Sequence, residues 1–400
     1  MPPIDAARLL ADLHGVRQIG TYKTGVHRPT YSPDDVRSRH WLAARLTEAG
    51  LHATIDGIGN VIGRCPAPGP KLLLGSHLET QNHAGWLDGA MGVIYALEVA
   101  RTLGQGIDVA GWADEEGHYG SFLGSRSFCG LLPEAEIDLC RNVGDGTPLR
   151  TALSEAGFAG KPRLEAEPGR YRGYLEAHIE QGATLEDAGQ RIGVVTAIVG
   201  SHRFRIVFEG QQNHAGTTRM AVRKDAGVAL IRLAAAIEDR FPQVVGPRTV
   251  WTTGRITLDP GVPSIVPGRA EMLFQFRDTD QAVLFALEKE LEVLVEQANR
   301  GPCRVTIADR GRSVPRLMDE GFQSALDSAA EHHAAGLHGR MPSGAGHDAQ
   351  IMAERMPAGM LFVPSIGGVS HHYSEDTSEA DIVLGCQVFA DAAADILAIG

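Results

Sequence analysis

Runs of hydrophobic residues along the first half of the chain predict strands that alternate with helices. Residues 72–74 form a continuous apolar run that is typical of a buried strand, and a helical pattern follows at 93–103. Further strands are predicted at 108–112 and 174–181, again separated by helical or irregular segments. This alternation indicates an α/β fold with a mostly parallel mixed sheet flanked by helices.

The pattern changes near residue 200. There the sequence predicts, in order, a strand at 204–209, a helix at 224–238, strands at 249–258 and 270–277, a helix at 281–298 and a strand at 304–308. This is the order of a ferredoxin-like α+β module. Since 400 residues exceed what one core usually holds, we expect two domains. We place the inserted one at 200–312, between two parts of the first domain at 1–199 and 313–400.

Composition and charge exclude several classes of function. The net charge of −12 offers no basic footprint for nucleic acid, and no apolar run approaches the ~20 residues that span a bilayer. The first residues do not resemble a secretory signal. The five cysteines are scattered and form no C-x-x-C pair, which suits a reducing compartment. We therefore expect a cytoplasmic protein that has neither a nucleic acid nor a membrane as its partner.

Candidate chemistry begins at the end of the first buried strand. His77 ends that strand, and Asp88 follows in a glycine-rich loop that opens the next helix. Sites in open α/β sheets form at the carboxyl ends of strands, and imidazole nitrogen and carboxylate oxygen are zinc ligands. A hydrogen-bonded histidine and a helix-capping aspartate are an equally good interpretation of this stretch alone.

A second candidate is the acidic triplet Asp114-Glu115-Glu116 after the strand at 108–112. Adjacent carboxylates raise each other's pKa unless a cation lies between them. A divalent metal would allow one glutamate to bind the ion while its neighbour acts as a general base on water. The alternative is a solvated acidic turn, the commoner fate of such a triplet.

Three further histidines lie at predicted strands or loops. His178 is flanked by apolar residues in a strand, His371 lies in a loop after an apolar strand, and His214 follows the first strand of the inserted module. Individually each is a weak signal: His178 is more often a hydrogen-bonded core histidine, and the alternatives for His371 and His214 are a polar surface loop and a helix cap. Together with the two earlier stretches, however, they supply the set that two metals sharing one carboxylate need. That set is His77, Asp88, Glu116, His178 and His371.

Seven motifs carry a family resemblance. In chain order they are GSHLET, WLDG, DEEG, HIEQG, NHAGTTRM, GAGHDAQ and SHHYSED. They resemble the di-zinc amidase/peptidase superfamily of aminoacylases and carboxypeptidase-type exopeptidases, and within it the hydantoinase/carbamoylase subfamily. That subfamily includes N-carbamoyl-L-amino-acid hydrolases, allantoate and ureidoglycolate amidohydrolases, and β-ureidopropionases. The resemblance implies a catalytic metal-binding domain carrying an inserted lid and dimerisation domain.

The resemblance also implies roles by position. One ion would be held by His77, Asp88 and His178, and the other by Asp88, Glu116 and His371. Glu115 would be the general base that takes a proton from the bridging water and delivers it to the leaving nitrogen. His214 would stabilise the oxyanion, commonly across a dimer in this family. The implied substrate contacts are Arg277 for the carboxylate, Gln181 for the ureido or carboxylate end, Ser264, and His347, for which a structural role is as good an interpretation.

Several positions depart from the family pattern: Glu79, Ser264, the loop at 81–86, and His118-Tyr119. Glu79 stands where the family usually has aspartate, a partner that orients a ligand histidine, and its extra methylene changes the reach of the carboxylate. Ser264 stands where the family usually has asparagine, which suggests a different polar group on the substrate.

From the sequence we therefore expect a homodimeric amidohydrolase with two divalent ions, zinc or manganese, with cobalt or nickel also possible. Its substrate would be a small molecule that carries a carboxylate and a ureido or amide group, such as an N-carbamoyl amino acid. A dipeptidase or aminoacylase on the same scaffold is the alternative enzyme. A non-catalytic binding protein is the alternative from another class, and the intact Glu115-Glu116 pair counts against it.

Overall fold

A computed structural model describes residues 3–398 of the chain. The chain folds into two compact units: a larger one, Met1–Thr196 with Leu317–Gly400, and an inserted one, Ala197–Arg316. The catalytic role predicted for the larger unit and the lid and dimerisation role predicted for the inserted one stay predictions.

The first part of the larger unit contains most of its secondary structure. Its elements in chain order are α1 (Ala6–Arg17), β1 (Thr21–Tyr22), β2 (Gly25–Val26), α2 (Pro33–Glu48), β3 (His52–Ile55), β4 (Val61–Arg64), β5 (Lys71–His77), α3 (Ala90–Leu103), β6 (Ile107–Trp112), α4 (Leu123–Phe128), α5 (Glu134–Leu139), α6 (Leu149–Glu155), β7 (Tyr171–Ile179), α7 (Thr184–Asp187) and β8 (Ile192–Ile198). Local sequence sets several boundaries directly. For example, Ser32 caps α2 by accepting a hydrogen bond from the backbone N–H of Asp35, and Pro33 occupies the first helical position.

The inserted unit follows the predicted order of elements. They are β9 (Gly200–Glu209), β10 (Asn213–His214), α8 (Ala226–Arg240), β11 (Val250–Asp259), β12 (Ile265–Val266), β13 (Arg269–Asp278), α9 (Gln281–Ala298) and β14 (Arg304–Ser313). The chain returns to the larger unit through β15 (Arg316–Leu317), followed by α10 (Glu320–His333), β16 (His338–Ser343), α11 (Asp348–Met352), β17 (Ala358–Val363) and α12 (Glu379–Ala398). The pattern of the sequence did not predict the short strand β16.

The large sheet has the strand order β15-β8-β17-β7-β5-β6-β4-β3, with β16 paired to β8. The four central strands, β17, β7, β5 and β6, pair in parallel, while β4 and β8 add antiparallel strands on either side. Every residue of β5 and β6 is buried, because helices cover both faces of a parallel sheet. The apolar runs in these strands suit that burial. The predicted fold class, a mostly parallel mixed sheet flanked by helices, is confirmed.

The smaller sheet lies in the inserted unit and has the antiparallel order β11-β13-β9-β14. One face is apolar and packs against α8 and α9, with Phe204, Met272, Phe274 and Phe276 in its core. The strict alternation of buried and more exposed residues along β13 produces this arrangement. The opposite face of the sheet carries the polar residues of the same strands.

No helix within residues 3–398 combines the length and the apolar character that crossing a membrane requires.

Candidate metal centre

The five predicted ligands converge at one edge of the large sheet. His77 ends β5 and His178 lies near the end of the neighbouring strand β7, so the parallel pairing of these strands brings the two imidazoles together. Their ring centroids are 5.9 Å apart. Asp88 comes from the loop before α3, Glu116 from the loop after β6, and His371 from the loop between β17 and α12. The carboxyl ends of these strands therefore build the site.

The carboxylate of Asp88 lies between two groups of ligands. Its Oδ1 is 3.4 Å from Nε2 of His77 and 3.1 Å from Nε2 of His178. Its Oδ2 is 3.2 Å from Nε2 of His371, which in turn lies 3.7 Å from Oε2 of Glu116. The groups His77, Asp88, His178 and Asp88, Glu116, His371 each have ligand atoms within 4.8 Å of one another. A carboxylate with one oxygen toward each group has the geometry of a bridging ligand.

Backbone hydrogen bonds fix which nitrogen each buried histidine presents. Nδ1 of His77 is 3.0 Å from the carbonyl oxygen of Glu79, and Nδ1 of His178 is 2.9 Å from the carbonyl oxygen of Ile179. Because a carbonyl can only accept, each Nδ1 carries a proton, so in the neutral form of either imidazole the lone pair is on Nε2. The donor set of imidazole Nε2 atoms and carboxylates thus fits one or two divalent ions.

The alternative role for Asp88, a helix cap, does not apply. Gly89 occupies the N-cap position of α3, and the cap makes no side-chain hydrogen bond. Gly89 has a φ of 65°, and a Cβ there would lie 2.4 Å from the ring of His77. The glycine therefore lets the loop bring Asp88 against the histidines.

Buried charges dominate the electrostatics of the centre. Burial raises the pKa of Asp88, but hydrogen bonds from His178, His371 and His77 outweigh it and hold that pKa well below its usual value. Burial lowers the pKa of His77, yet the charges of Glu115 and other carboxylates raise it well above its usual value. Burial and the charge of Asp88 raise the pKa of Glu116 to about 7. Such crowding of acidic groups is what a cation relieves.

Glu115 lies beside the first ligand group. Its Oε2 is 3.7 Å from Nε2 of His77, and its side chain is only 10% exposed. Burial raises the pKa of this carboxyl well above its usual value. Its backbone N–H donates to Oε1 of Glu79 at 2.7 Å, which fixes the chain at this residue. A carboxylate held at this place is positioned to exchange protons with a water molecule at the centre.

Glu79 uses its extra length to join two parts of the structure. One oxygen accepts the backbone N–H of Glu115, and the other accepts from the guanidinium of Arg39 at 2.7 Å. Arg39 is fully buried and also contacts Asp35 at 3.0 Å. The glutamate that departs from the family pattern is thus one end of a buried ion-pair network that reaches α2.

Other residues that hold the site were not assigned a role from the sequence. Gln81 donates its backbone N–H and side-chain amide to the carboxylate of Glu116, each at 3.0 Å. Buried Glu375 accepts from the backbone N–H of Asp88 at 3.0 Å and from the hydroxyl of Ser370 at 2.9 Å. Glu375 stands in the SHHYSED motif itself, so an acidic residue just after the ligand histidine was the available signal.

Two predicted substrate contacts of the larger unit lie at the centre. Gln181 donates its amide to Oδ2 of Asp88 at 3.0 Å and to the hydroxyl of Ser370 at 3.2 Å. His347 is buried, its ring centroid is 4.6 Å from that of His178, and its Nε2 is 2.9 Å from the hydroxyl of Ser343. Gln181, His371 and Asp114 all have positive φ angles of 53–60°, and such strain in non-glycine residues concentrates at functional sites.

The other predicted residues lie in the inserted unit. His214 is in β10, which pairs with β12, so the helix-cap alternative does not apply. The carbonyl of neighbouring Ser264 accepts from the backbone N–H of Ala215 at 2.9 Å. Nδ1 of His214 accepts from the backbone N–H groups of Gly216 and Thr217 at 3.0 and 3.1 Å. The proton of a neutral imidazole therefore sits on Nε2, which makes exposed His214 a hydrogen-bond donor.

Arg277 lies far from His214 within the inserted unit. It pairs with Ser201 at one end of β13, whereas the His214 strand continues from the other end, beyond Arg269. Arg269 and Arg277 are eight positions apart along β13, which corresponds to about 26 Å at ~3.3 Å per residue. The structure thus brings His214 and Ser264 together and keeps Arg277 apart from both.

Comparisons with known proteins agree with this geometry. The family model described as peptidase family M20/M25/M40 matches residues 75–395. The chain is 32% identical to an N-carbamoyl-L-amino acid amidohydrolase of Geobacillus stearothermophilus, with 96% of this chain and 97% of that protein covered. It is 33% identical to an allantoate amidohydrolase of Bacillus subtilis (strain 168), with 92% of each covered.

Solved structures lead to the same group. A crystal structure of an amidase of the hydantoinase/carbamoylase family from Burkholderia phymatum matches with a TM-score of 0.90 and 49% identity over the full length of both chains. The resemblance noted from the sequence motifs is confirmed.

Proposed function

We propose that this chain, which belongs to peptidase family M20/M25/M40 and is a hydantoinase/carbamoylase-type amidohydrolase, hydrolyses the C–N bond of an N-carbamoyl (ureido) amino acid or of a related ureido compound with a free carboxylate. The observation that carries the proposal is the placement of Asp88 between two ligand groups with Glu115 beside them. Its relatives that act on carbamoyl amino acids and allantoate support this choice of substrate class.

The metal-binding roles follow from the two ligand groups. His77, Asp88 and His178 would hold one divalent ion, and Asp88, Glu116 and His371 would hold a second, zinc or manganese in our proposal. When bound, the ions would polarise the scissile carbonyl and make water more acidic. The side chain of His371 is 50% exposed whereas His77 and His178 are buried, so substrate and water would approach from the His371 side.

Proton transfer is assigned to Glu115. We propose that its carboxylate accepts a proton from the attacking water and passes it to the leaving nitrogen. A neutral amide or ureido nitrogen leaves poorly, so the second transfer matters as much as the first. The hydrogen bond from the backbone N–H of Glu115 to Glu79 holds the chain at this residue.

The remaining roles concern the substrate. The amide nitrogen of Gln181 already donates to groups of the protein, so we assign its Oε1 to the N–H of the ureido group. Arg277 would bind the substrate carboxylate as a planar fork, and Nε2 of His214 would donate to the developing oxyanion. Ser264, next to the His214 loop, would contact the polar end of the substrate, and His347 would support His178 from behind.

The separation of His214 and Arg277 supports a homodimer. About 26 Å, at ~3.3 Å per residue of β13, exceeds the length of a carbamoyl amino acid, so one substrate cannot contact both residues of the same inserted unit. We propose that His214 serves the centre of a second copy. The edge strand β11 supports this, because all its residues except Trp251 are exposed and they include the apolar residues Ile256 and Leu258. Unpaired edges of this kind are suited to pairing with another chain.

Mixed dimers test whether His214 acts on a second copy. Glu115→Gln and His214→Asn are each expected to be nearly inactive alone. After the two are unfolded together and refolded, about a quarter of wild-type activity should return, because half of a random mixture is heterodimer and each heterodimer has one intact centre. Activity that stays at the level of the single variants would show that His214 serves its own chain.

A substrate panel tests the proposed reaction. The metal-replete protein, with Mn²⁺ or Zn²⁺ added, should release ammonia from N-carbamoyl-L-amino acids faster than it cleaves N-acetyl amino acids or dipeptides. Chelation should abolish turnover, and elemental analysis should find up to two ions per chain. Faster cleavage of dipeptides or acetylated substrates would favour the dipeptidase or aminoacylase alternative. A metal-bound protein that hydrolyses none of these substrates would favour the alternative of a non-catalytic binding protein.

A cytoplasmic location is part of the same proposal.

A further inference from the structure

The histidines of the two ligand groups are held in different ways. His77 and His178 belong to strands of the large sheet, and a backbone carbonyl fixes Nδ1 of each ring. His371 lies instead in a loop, and its side chain is half-exposed. Among residues 3–398, Nδ1 of His371 has no hydrogen-bond partner of this kind. The position of His371 therefore depends on what holds its loop.

Glu375 closes the loop that carries His371. The backbone N–H of Glu375 donates to the carbonyl oxygen of His372 at 3.0 Å. Its side chain turns back along the loop, and Oε2 accepts from the hydroxyl of Ser370 at 2.9 Å. The carboxylate that makes this contact is buried. His371 thus lies between two residues that are hydrogen-bonded to each other, and its backbone is held on both sides.

The other oxygen of Glu375 holds the loop of the bridging ligand. Oε1 accepts from the backbone N–H groups of Asp88 and Leu87, at 3.0 and 3.2 Å. Gln181 joins the same residues from a third segment, because its amide donates to Oδ2 of Asp88 at 3.0 Å and to the hydroxyl of Ser370 at 3.2 Å. Asp88, Glu375, Ser370 and Gln181 therefore form a closed ring of hydrogen bonds.

Gly85 leaves the space that the carboxylate of Glu375 occupies. A Cβ at Gly85 would lie 1.9 Å from Oε1 and 2.0 Å from Cδ of Glu375. Gly85 has no positive φ angle, so close approach of the two segments is the reason for a glycine here. The loop of Asp88 is therefore shaped to receive this one side chain.

We infer that Glu375 is a positioning residue that fixes the distance between Asp88 and His371 and thereby sets the affinity of the second ion. The inference rests on the proposed pair of ions. Hydrogen-bond partners of metal ligands typically change metal affinity about 10–100-fold when they are replaced. The first ion would depend on Glu375 much less, because His77 and His178 keep their own carbonyl partners.

Metal titration tests this role without a substrate. Mn²⁺ alone is added to the metal-free protein, and calorimetry should resolve two binding steps in wild type. Glu116→Gln identifies the second step, because it removes a ligand of the second group only. Glu375→Asp keeps the charge but is one methylene shorter, so it cannot reach both Ser370 and Asp88. That variant should weaken the second step about 10–100-fold and change the first by less than about threefold.

The matched control is Asp376→Asn, which removes a charge from the neighbouring, exposed residue. The side chain of Asp376 accepts from the backbone N–H of Thr377 at 3.0 Å and lies outside the ring of hydrogen bonds. Both binding steps should stay at their wild-type affinities in this variant. Glu375→Asp and Asp376→Asn together separate the reach of the Glu375 side chain from the charge of the loop.

Ser370 provides a second pair of variants that leaves Glu375 in place. Ser370→Ala should weaken the second step as Glu375→Asp does, and Ser370→Thr should restore it because the hydroxyl is kept. This pair decides the question if Glu375→Asp does not fold. A second step of wild-type affinity in Ser370→Ala, or equal weakening of both steps in either variant, overturns the inference. Wild type that binds fewer than two ions overturns the proposed centre as well. Two bound ions without hydrolysis of any substrate contradict the proposed reaction alone.

Discussion

Replacing Glu115 by glutamine is expected to lower kcat by about 10²–10⁴-fold, the contribution typical of a positioned general acid–base group. The variant keeps the size and hydrogen-bonding shape of the side chain but cannot accept a proton. Glu115 is not among the predicted ligands, and its backbone is held by Glu79 independently of its side chain. The variant should therefore bind metal as wild type does, with KM little changed. Steady-state kinetics and elemental analysis of the same preparation measure the two quantities.

The matched control is Glu116→Gln, one residue further along the same loop. Because the carboxylate of Glu116 belongs to the second ligand group, this variant should lose metal as well as activity. Both variants are expected to be nearly inactive, but only Glu116→Gln should lose metal. The metal content therefore distinguishes a general base from a metal ligand. A Glu115→Gln protein with kcat within threefold of wild type would remove Glu115 from the proton-transfer role.

Replacing Arg39 by methionine is expected to destabilise the protein by about 3–5 kcal/mol, the usual cost of removing one member of a buried ion pair. Arg39 is fully buried and donates to Asp35, Glu79 and the carbonyl oxygens of Gly59 and Trp112 at 2.7–3.0 Å. Without the guanidinium, two buried carboxylates lose their counter-charge. The change should appear as a lower midpoint of urea unfolding.

Neutralising the two buried carboxylates that lose their counter-charge should recover much of the lost stability. The triple variant Arg39→Met, Asp35→Asn, Glu79→Gln leaves no buried charge in the network, and its midpoint should lie between those of Arg39→Met and wild type. Activity should not recover to the same extent, because Glu79 also accepts the backbone N–H of Glu115 and its own carbonyl accepts from His77. A triple variant no more stable than Arg39→Met would show that the cost lies in packing and not in charge.

Much of the fold was predictable because its signals are local. An apolar run at 72–74 indicated a buried strand and the sequence at 108–112 indicated a further short strand, and the structure has β5 and β6 there. Alternation at 270–277 indicated a strand, and β13 lies there with buried and more exposed residues in turn. The helix at 281–298 begins and ends as predicted. Its start is set by Asp280, whose side chain accepts a hydrogen bond from the backbone N–H of Ala282. Such preferences depend on residues a few positions apart, and a sequence displays them directly.

By itself, the sequence determined which residue types end the strands, and therefore that imidazoles and carboxylates would meet at one edge of a parallel sheet. Only the tertiary structure decided how Asp88 divides its oxygens between two histidine groups, and that Arg39, Gln81 and Glu375 hold the residues around it. Asp88 and Glu375 are 287 positions apart, and no local preference encodes such a hydrogen bond. The partners of Asp88 are fixed by the order of strands in the sheet, and the packing of the whole chain selects that order.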